Sequence, residues 1–454
     1  MNGTTENENA QGALNIVCGT VTDIPDILLQ QEALVTPLLE TPAYFKFFFH
    51  IVRYSNGSGN EPASYLNSMV SSINQYYEDT DIFFLHAGYD EILSDYFANM
   101  TPNMYAELFA TNVQPNVINV YLLPNDFPPG SGGWGGRADN IPGTALIMAY
   151  SNFVIGQSTF PHEVGHVLGL YHTHHALEPG GCAETPTNCT VCGDFVCDTP
   201  PDPDLSNTGY VDSWTCAYTG PSGYSPDTAN IMSYSFDNCR TRFSLGQITR
   251  MKSIIDGNVP LQLMLFRIAG PDSICDTGTF SVPGITGATY TWSVGTGLTI
   301  LSGQGTNSVQ IQSNVLTNSA SISLSVSGLS YLPAGVTISR TITTILTQDL
   351  ITFEGIANKF AVPICPGQTI MVSLLYNGQS LSIGNPYGIT SAQWGPAAPG
   401  LSIAPTTGTP SLVSGSSCYV TRAPEGQLIG GSVSVHLVDN CGNRTGQYIT
   451  FVNC

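Results

Sequence analysis

Charge is scarce in this 454-residue chain: Asp, Glu, Lys and Arg make up 10% of it, well below the roughly one quarter usual in soluble proteins. Positive charge is scarcer still, with 12 Lys and Arg against 33 Asp and Glu and a net charge of −21. Nucleic acids are held by neutralising phosphates with basic side chains, so a nucleic acid is excluded as a partner. Long apolar runs are also missing. No uninterrupted apolar stretch reaches ~18 residues, so no transmembrane helix is expected. The start, Met1-Asn2-Gly3-Thr4, has neither a basic n-region nor an apolar core, and a secreted form is expected to have lost its signal peptide.

Cysteine is plentiful, at 12 residues. Six of them (Cys182, Cys189, Cys192, Cys197, Cys216 and Cys239) crowd one segment rich in Gly, Pro, Thr and Asp. Such crowding predicts disulfides and an oxidising compartment. Cys189-x-x-Cys192 alternatively resembles half a zinc ribbon, but no second C-x-x-C follows. Cys216–Cys239 is the favoured pairing, and several connectivities stay open for the other four.

Hydrophobic residues make up 42% of the chain, which places it among globular proteins, and its length predicts about three domains. Residues 1–41 are polar, then weakly helical, and suggest a pro-segment or N-terminal arm. Residues 42–264 read as an α+β domain, with strands over 44–54, 81–86, 116–123 and 144–150 and a helix over 62–77. Residues 90–108 read as mixed helix and loop, and 124–143 as a Gly/Pro-rich surface loop. A further helix is expected to start at a Ser244 cap, run to Ile255 and end at Gly257. Beyond residue 265 the helical period gives way to short alternating strands rich in Ser, Thr, Val and Ile. They predict two all-β sandwich modules, 265–347 and 348–454.

The chemistry is concentrated between Thr159 and His172, T-F-P-H-E-V-G-H-V-L-G-L-Y-H. His162 and His166 stand four apart, on one helix face. Gly169 can take the left-handed conformation that ends a helix and sends the chain back, so His172 can join them. Three imidazoles suit a catalytic Zn2+, which keeps a fourth position for water. Glu163 is then placed as the general base. The pattern is the long H-E-x-x-H-x-x-G-x-x-H signature, which is accompanied by a Met-turn under the ligands. Met232, in Asn230-Ile231-Met232-Ser233-Tyr234, is the candidate. His174 and His175 read as loop histidines.

Together with Gly193-Asp194-Phe195-Val196-Cys197-Asp198-Thr199-Pro200 and Cys239-x-x-x-Phe243-Ser244-x-Gly246-Gln247, these features resemble the pappalysin family of metzincins, of the cytophagalysin, ulilysin and mirolysin type. The resemblance covers residues 14–257. It implies a zincin-like catalytic domain and a secreted metalloendopeptidase; the all-β modules, read as Ig- or PKD-like sandwiches, lie outside it. It also implies roles for single residues. His162, His166 and His172 would hold zinc, Glu163 would be the base, and Tyr234 would stabilise the oxyanion. Asp237 would select Arg or Lys at P1′, the residue after the scissile bond. Cys18, in Cys18-Gly19-Thr20, would be the zinc ligand of a latent zymogen. Calcium would be held by Asp194, Asp198 and Thr199. The partners expected are protein and peptide substrates, with a surface or glycan ligand for the C-terminal modules. The alternative reading is an adhesin-like extracellular binding protein whose protease domain is inactive; the intact His162, Glu163, His166 and His172 weigh against it.

Overall fold

The computed structural model describes residues 42–454 apart from 129–130, 132, 154–155, 186, 275–276, 314–318, 343–350, 357–359, 377–378, 381–388, 398, 406–412, 415–416, 426–430 and 440–443. The chain divides into two compact units. The first runs to Phe266 and takes in 283–288 and 328–334, and the second holds the rest.

The first unit is built on β1 (Ala43–Arg53), whose side chains are buried along almost its whole length. A strand apolar on both faces belongs in the middle of a covered parallel sheet. β1 indeed lies between β2 (Ile82–Leu93) and β3 (Ile118–Leu122), parallel to both. β5 (Ala145–Met148) continues the parallel set, and the three-residue β4 (Gly136–Ala138) closes it antiparallel, in the order β2-β1-β3-β5-β4. Helix α1 (Leu66–Tyr76) is fastened to β2 by Asn74, whose amide pairs with the Phe84 backbone at 2.8 and 3.1 Å. Two short helices, α2 (Asp95–Ala98) and α3 (Tyr105–Phe109), lead from β2 toward β3.

Two expectations are corrected here. β2 extends to Leu93, through residues read as the start of a mixed region, because β1 supplies a parallel partner all the way, with a register shift at Phe47/Phe48. The Gly/Pro-rich loop contains β4, too short to leave a periodic trace.

Helix α4 (Thr159–Val167) carries the signature and is buried throughout. Phe160 packs on Phe47 of β1, 5.6 Å between ring centroids, and the Tyr77 hydroxyl donates to the Pro161 carbonyl at 3.0 Å. Helix α5 (Leu245–Gly257) begins at Ser244 in a full capping box with Gln247. The short α6 (Val259–Met264) follows. Between α4 and α5 the chain is irregular and stapled by Cys182–Cys192, Cys189–Cys197 and Cys216–Cys239. Cys189 and Cys192 have different partners, so the zinc-ribbon reading falls.

In the second unit, two three-stranded sheets come first, β11-β10-β7 and β6-β9-β8. Their strands are β6 (Thr277–Ser281), β7 (Thr289–Val294), β8 (Leu298–Ser302), β9 (Ser308–Ser313), β10 (Ala320–Ser327) and β11 (Val336–Ile342). They bury alternate residues, among them Phe280, Trp292, Val309, Ile311, Ile322 and Leu324, while Ser and Thr take the outward positions. Two five-stranded sheets follow between Ile351 and Asn453, around a core that includes Trp394, Val420, Val435 and Phe451. Cys365–Cys454 ties the end of the chain to this core. Among the described residues no helix is long and apolar enough to cross a membrane.

Candidate metal centre

The end of α4 explains how three histidines meet. Gly169 sits at φ +96°. Its N–H donates to the His166 carbonyl at 2.9 Å, and the Leu170 N–H donates to the Gly165 carbonyl at 2.9 Å. These two bonds are the Schellman pattern, in which a left-handed glycine reverses the chain. The reversal presents the Leu170 carbonyl to His166 Nδ1 at 2.8 Å and returns His172 toward the helix face. Ile254 of α5 seals the turn, since a Cβ on Gly169 would lie 2.8 Å from its Cγ2.

The ring centroids of His162, His166 and His172 are 4.6–5.1 Å apart, and each residue offers a ligand atom within 4.8 Å of the others. Each Nδ1 is committed: His162 to the Ile231 carbonyl at 2.7 Å, His166 to Leu170, His172 to the Glu178 carboxylate. An Nδ1–H donating to an oxygen leaves a bare lone pair on Nε2 in the neutral ring. His166 Nε2 and His172 Nε2 face one another at 3.0 Å, and His162 Nε2 is buried with no hydrogen bond. Two lone pairs at that distance repel unless a cation lies between them. Burial and the neighbouring imidazoles hold His162 and His166 well below the usual imidazole range, in the neutral form that ligates metal. The donor set therefore fits Zn2+.

Met232 lies beneath the helix. A Cβ on Gly165, the residue before His166, would come within 2.4 Å of the Met232 sulfur. The Met-turn is built around Asn230, whose Oδ1 accepts from the Met232 N–H at 2.9 Å and whose amide exchanges two bonds with Gln247 at 2.9 and 3.1 Å. Thr173 N–H donates to the Met232 carbonyl at 3.2 Å, which joins the return segment to the same floor. Glu163 is fully buried against β4, where a Cβ on Gly136 would lie 2.5 Å from its Cγ. The Tyr234 ring lies 4.7 Å from His172 and 4.4 Å from His174.

Asp237 is also nearby, but not as a lone carboxylate. Its Oδ1 pairs with Arg240 at 2.7 Å and accepts from Ser158 N and Oγ at the start of α4, at 3.0 and 2.5 Å. Arg240 is buried, reaches the Ser233 carbonyl at 3.3 Å and comes within 3.5 Å of His162 Nδ1. The expected calcium set is only partly gathered. Thr199 Oγ1 donates to Asp194 Oδ1 at 2.8 Å, whereas Asp198 accepts from Ser244 Oγ and Gly246 N at 2.7 and 2.8 Å, at the start of α5. Cys18 lies outside the described residues.

Sequence reasoning missed Glu178, Arg240, Gln247 and the two glycines, Gly136 and Gly165. Glu178 follows His174 and His175 at four and three residues, and Arg240 follows Asp237 at three; that spacing was the available signal. His174 and His175, read as loop residues, are buried beside Glu178.

The three histidines form a candidate metal site, and the comparisons with known proteins support a metalloendopeptidase. Residues 143–256 match the profile of the peptidase family described as pregnancy-associated plasma protein-A, and residues 261–329 match the PKD-like domain. An extracellular metalloprotease of Colletotrichum graminicola is 29% identical over 230 residues, which is 47% of this chain and 76% of that protein. One from Neurospora crassa is 28% identical over 225 residues, 45% of this chain and 72% of that protein. A third, Extracellular metalloprotease 1 of Coccidioides posadasii, is 40% identical over 96 residues, 21% of this chain and 29% of that protein. The chain thus carries a pappalysin-family metallopeptidase domain followed by a PKD-like domain.

Proposed function

We propose that this chain is a secreted zinc endopeptidase in which Glu163 activates the attacking water. The observation that carries the reading is the convergence of three Nε2 positions next to a carboxylate on the same helix. His162, His166 and His172 would hold the metal. Bound there, zinc would supply Lewis acidity that polarises the scissile carbonyl and acidifies a water. Glu163 takes the water's proton on its carboxylate and returns it to the leaving amine. The Tyr234 hydroxyl donates to the oxyanion as charge develops.

The substrate class is extended polypeptide. β4 lies at the edge of the sheet and pairs only with β5 among the described strands. It runs directly past Glu163, so a peptide adding to that edge brings its own carbonyls to the site.

Asp237 would govern the residue after the scissile bond. All its described contacts fall on Oδ1, which leaves Oδ2 to pair with Arg or Lys, against the opposing charge of Arg240. Cys18 would keep the enzyme latent as a thiolate ligand; this rests on the Cys18-Gly19-Thr20 motif alone. The calcium reading is kept for Asp194 and Thr199, since Asp194 Oδ2 is buried without a hydrogen bond. Four disulfides among the described residues support secretion. The C-terminal modules would bind a surface or glycan.

The test compares wild type with Glu163→Gln on unfolded casein, with zinc content measured on both. Zinc should be retained and turnover should fall about 10²–10⁴-fold. Equal turnover would remove Glu163 from the reaction.

A further inference from the structure

The three histidines of the centre are not held in the same way. His162 and His166 donate their Nδ1 protons to main-chain carbonyls, Ile231 and Leu170. His172 donates to a side chain, the carboxylate of Glu178. A main-chain acceptor is fixed by the fold around it, whereas a side-chain acceptor must itself be held.

Glu178 is held. The turn of 3₁₀ helix His175–Leu177 folds the chain back, with the His175 N–H donating to the His172 carbonyl at 2.9 Å and the Glu178 N–H to the His175 carbonyl at 3.0 Å. That puts the Glu178 carboxylate under His172. Its second oxygen, Oε2, accepts from His175 Nδ1 at 2.7 Å. His175 is fully buried and packed against Tyr171 and Phe195, with ring centroids 4.7 and 5.6 Å away. His174 Nε2 stands 3.6 Å from Oε1, and its ring stacks on His172 at 4.9 Å. A carboxylate with each oxygen tied to a different buried imidazole has no freedom to rotate. The plane of the His172 ring is thereby set from below.

We propose that Glu178 is a positioning residue for the metal centre. It fixes the tautomer and ring plane of His172 so that Nε2 meets those of His162 and His166, and His175 in turn locks Glu178. An imidazole without an Nδ1 acceptor is free to turn about its Cβ–Cγ bond, which moves Nε2 off the shared point. The inference rests on the zinc reading of His162, His166 and His172, and it adds a residue that lies outside the signature motif.

The experiment measures zinc affinity of the full chain, stripped of metal, by competition with a chromogenic chelator. It uses wild type, Glu178→Ala, Glu178→Gln and, as a reference, His166→Ala. Loss of an outer partner of a ligating histidine costs about 10–100-fold in metal affinity. Glu178→Ala should show that loss, with the thermal transition of the metal-free protein unchanged. Glu178→Gln, which keeps an acceptor for His172, should recover most of it; if the alanine variant fails to fold, Glu178→Leu, which offers no acceptor, replaces it with the same loss expected. Wild-type affinity in Glu178→Ala, or in its leucine substitute, would overturn the role of Glu178. Failure of wild type to bind one zinc, or His166→Ala binding as tightly as wild type, would instead overturn the metal site itself.

Discussion

Replacing Gly165 by alanine tests the floor of the metal centre directly. The added methyl would stand 2.4 Å from the Met232 sulfur and 3.2 Å from its Cε, inside any van der Waals contact. Both residues are buried, Met232 at 0% exposure, so the strain cannot be relieved into solvent. Overpacking of this kind costs about 1–3 kcal/mol. Because 1 kcal/mol moves the midpoint of a 150–250-residue domain by about 2–4 °C, the catalytic unit should melt roughly 2–12 °C lower. The partner change, Met232→Ala, removes the side chain and leaves a cavity, at a cost of about 2–5 kcal/mol. In the double variant the new methyl enters that cavity, so the two losses should fall short of additive by roughly the overpacking term. The assay is calorimetry on the four proteins of the cycle, with bound zinc measured on each. Strict additivity, or a Gly165→Ala protein that melts with wild type, would refute the packing argument.

Three further outcomes are expected. At the residue after the scissile bond, Arg240→Met frees Asp237 Oδ1 and should raise the preference for Arg over Leu about tenfold, the lower end for a bond to a charged group. Asp237→Asn should abolish that preference, and peptide profiling that shows no change in either variant would remove Asp237 from the pocket. A Cys18→Ala precursor should be active without processing, and one that stays latent would reject the cysteine as inhibitor. Cys418 is buried and, among the described residues, carries no disulfide; burial pushes its thiol up to about 12. It should therefore resist iodoacetamide in the native protein and react after denaturation. Labelling in the folded chain would contradict its burial.

The parts of this protein legible in its sequence are those where one residue type can do the job. Gly169 announced the reversal that returns His172, because a left-handed turn after a helix leaves few alternatives. Ser244 marked a helix start, because its side chain is among the few that cap the first turn. The alternation of β7 and β10 followed from a sheet with one wet face. What stayed hidden depends on partners far away in the chain. Glycine at 136 and 165 reads as ordinary until the Glu163 side chain and the Met232 sulfur are seen to fill the missing methyl positions. The pairing of Asp237 with Arg240 was not legible, because nothing in the sequence marks Arg240 as buried. That Asp198 caps the first turn of α5 with both oxygens could not be read either, because Ser244 and Gly246 lie 46 and 48 residues away. The length of β2 followed from its neighbour, since strands are extended by partners more than by propensity.

Gln247 serves two structures at once, the first turn of α5 and the amide of Asn230 that shapes the Met-turn. During synthesis this sharing sets a timetable. When His172 leaves the ribosome the chain already owns every residue of the signature, yet the carbonyl that orients His162 belongs to Ile231, 59 positions later, and the glutamine that braces it comes later still. At about 5–20 residues per second, that is a delay of roughly 3–12 s. A nascent chain in that interval has the ligands without the cradle. The cradle of the metal centre is thus completed at the end of its domain rather than at the motif, when little more than half of the chain has been made.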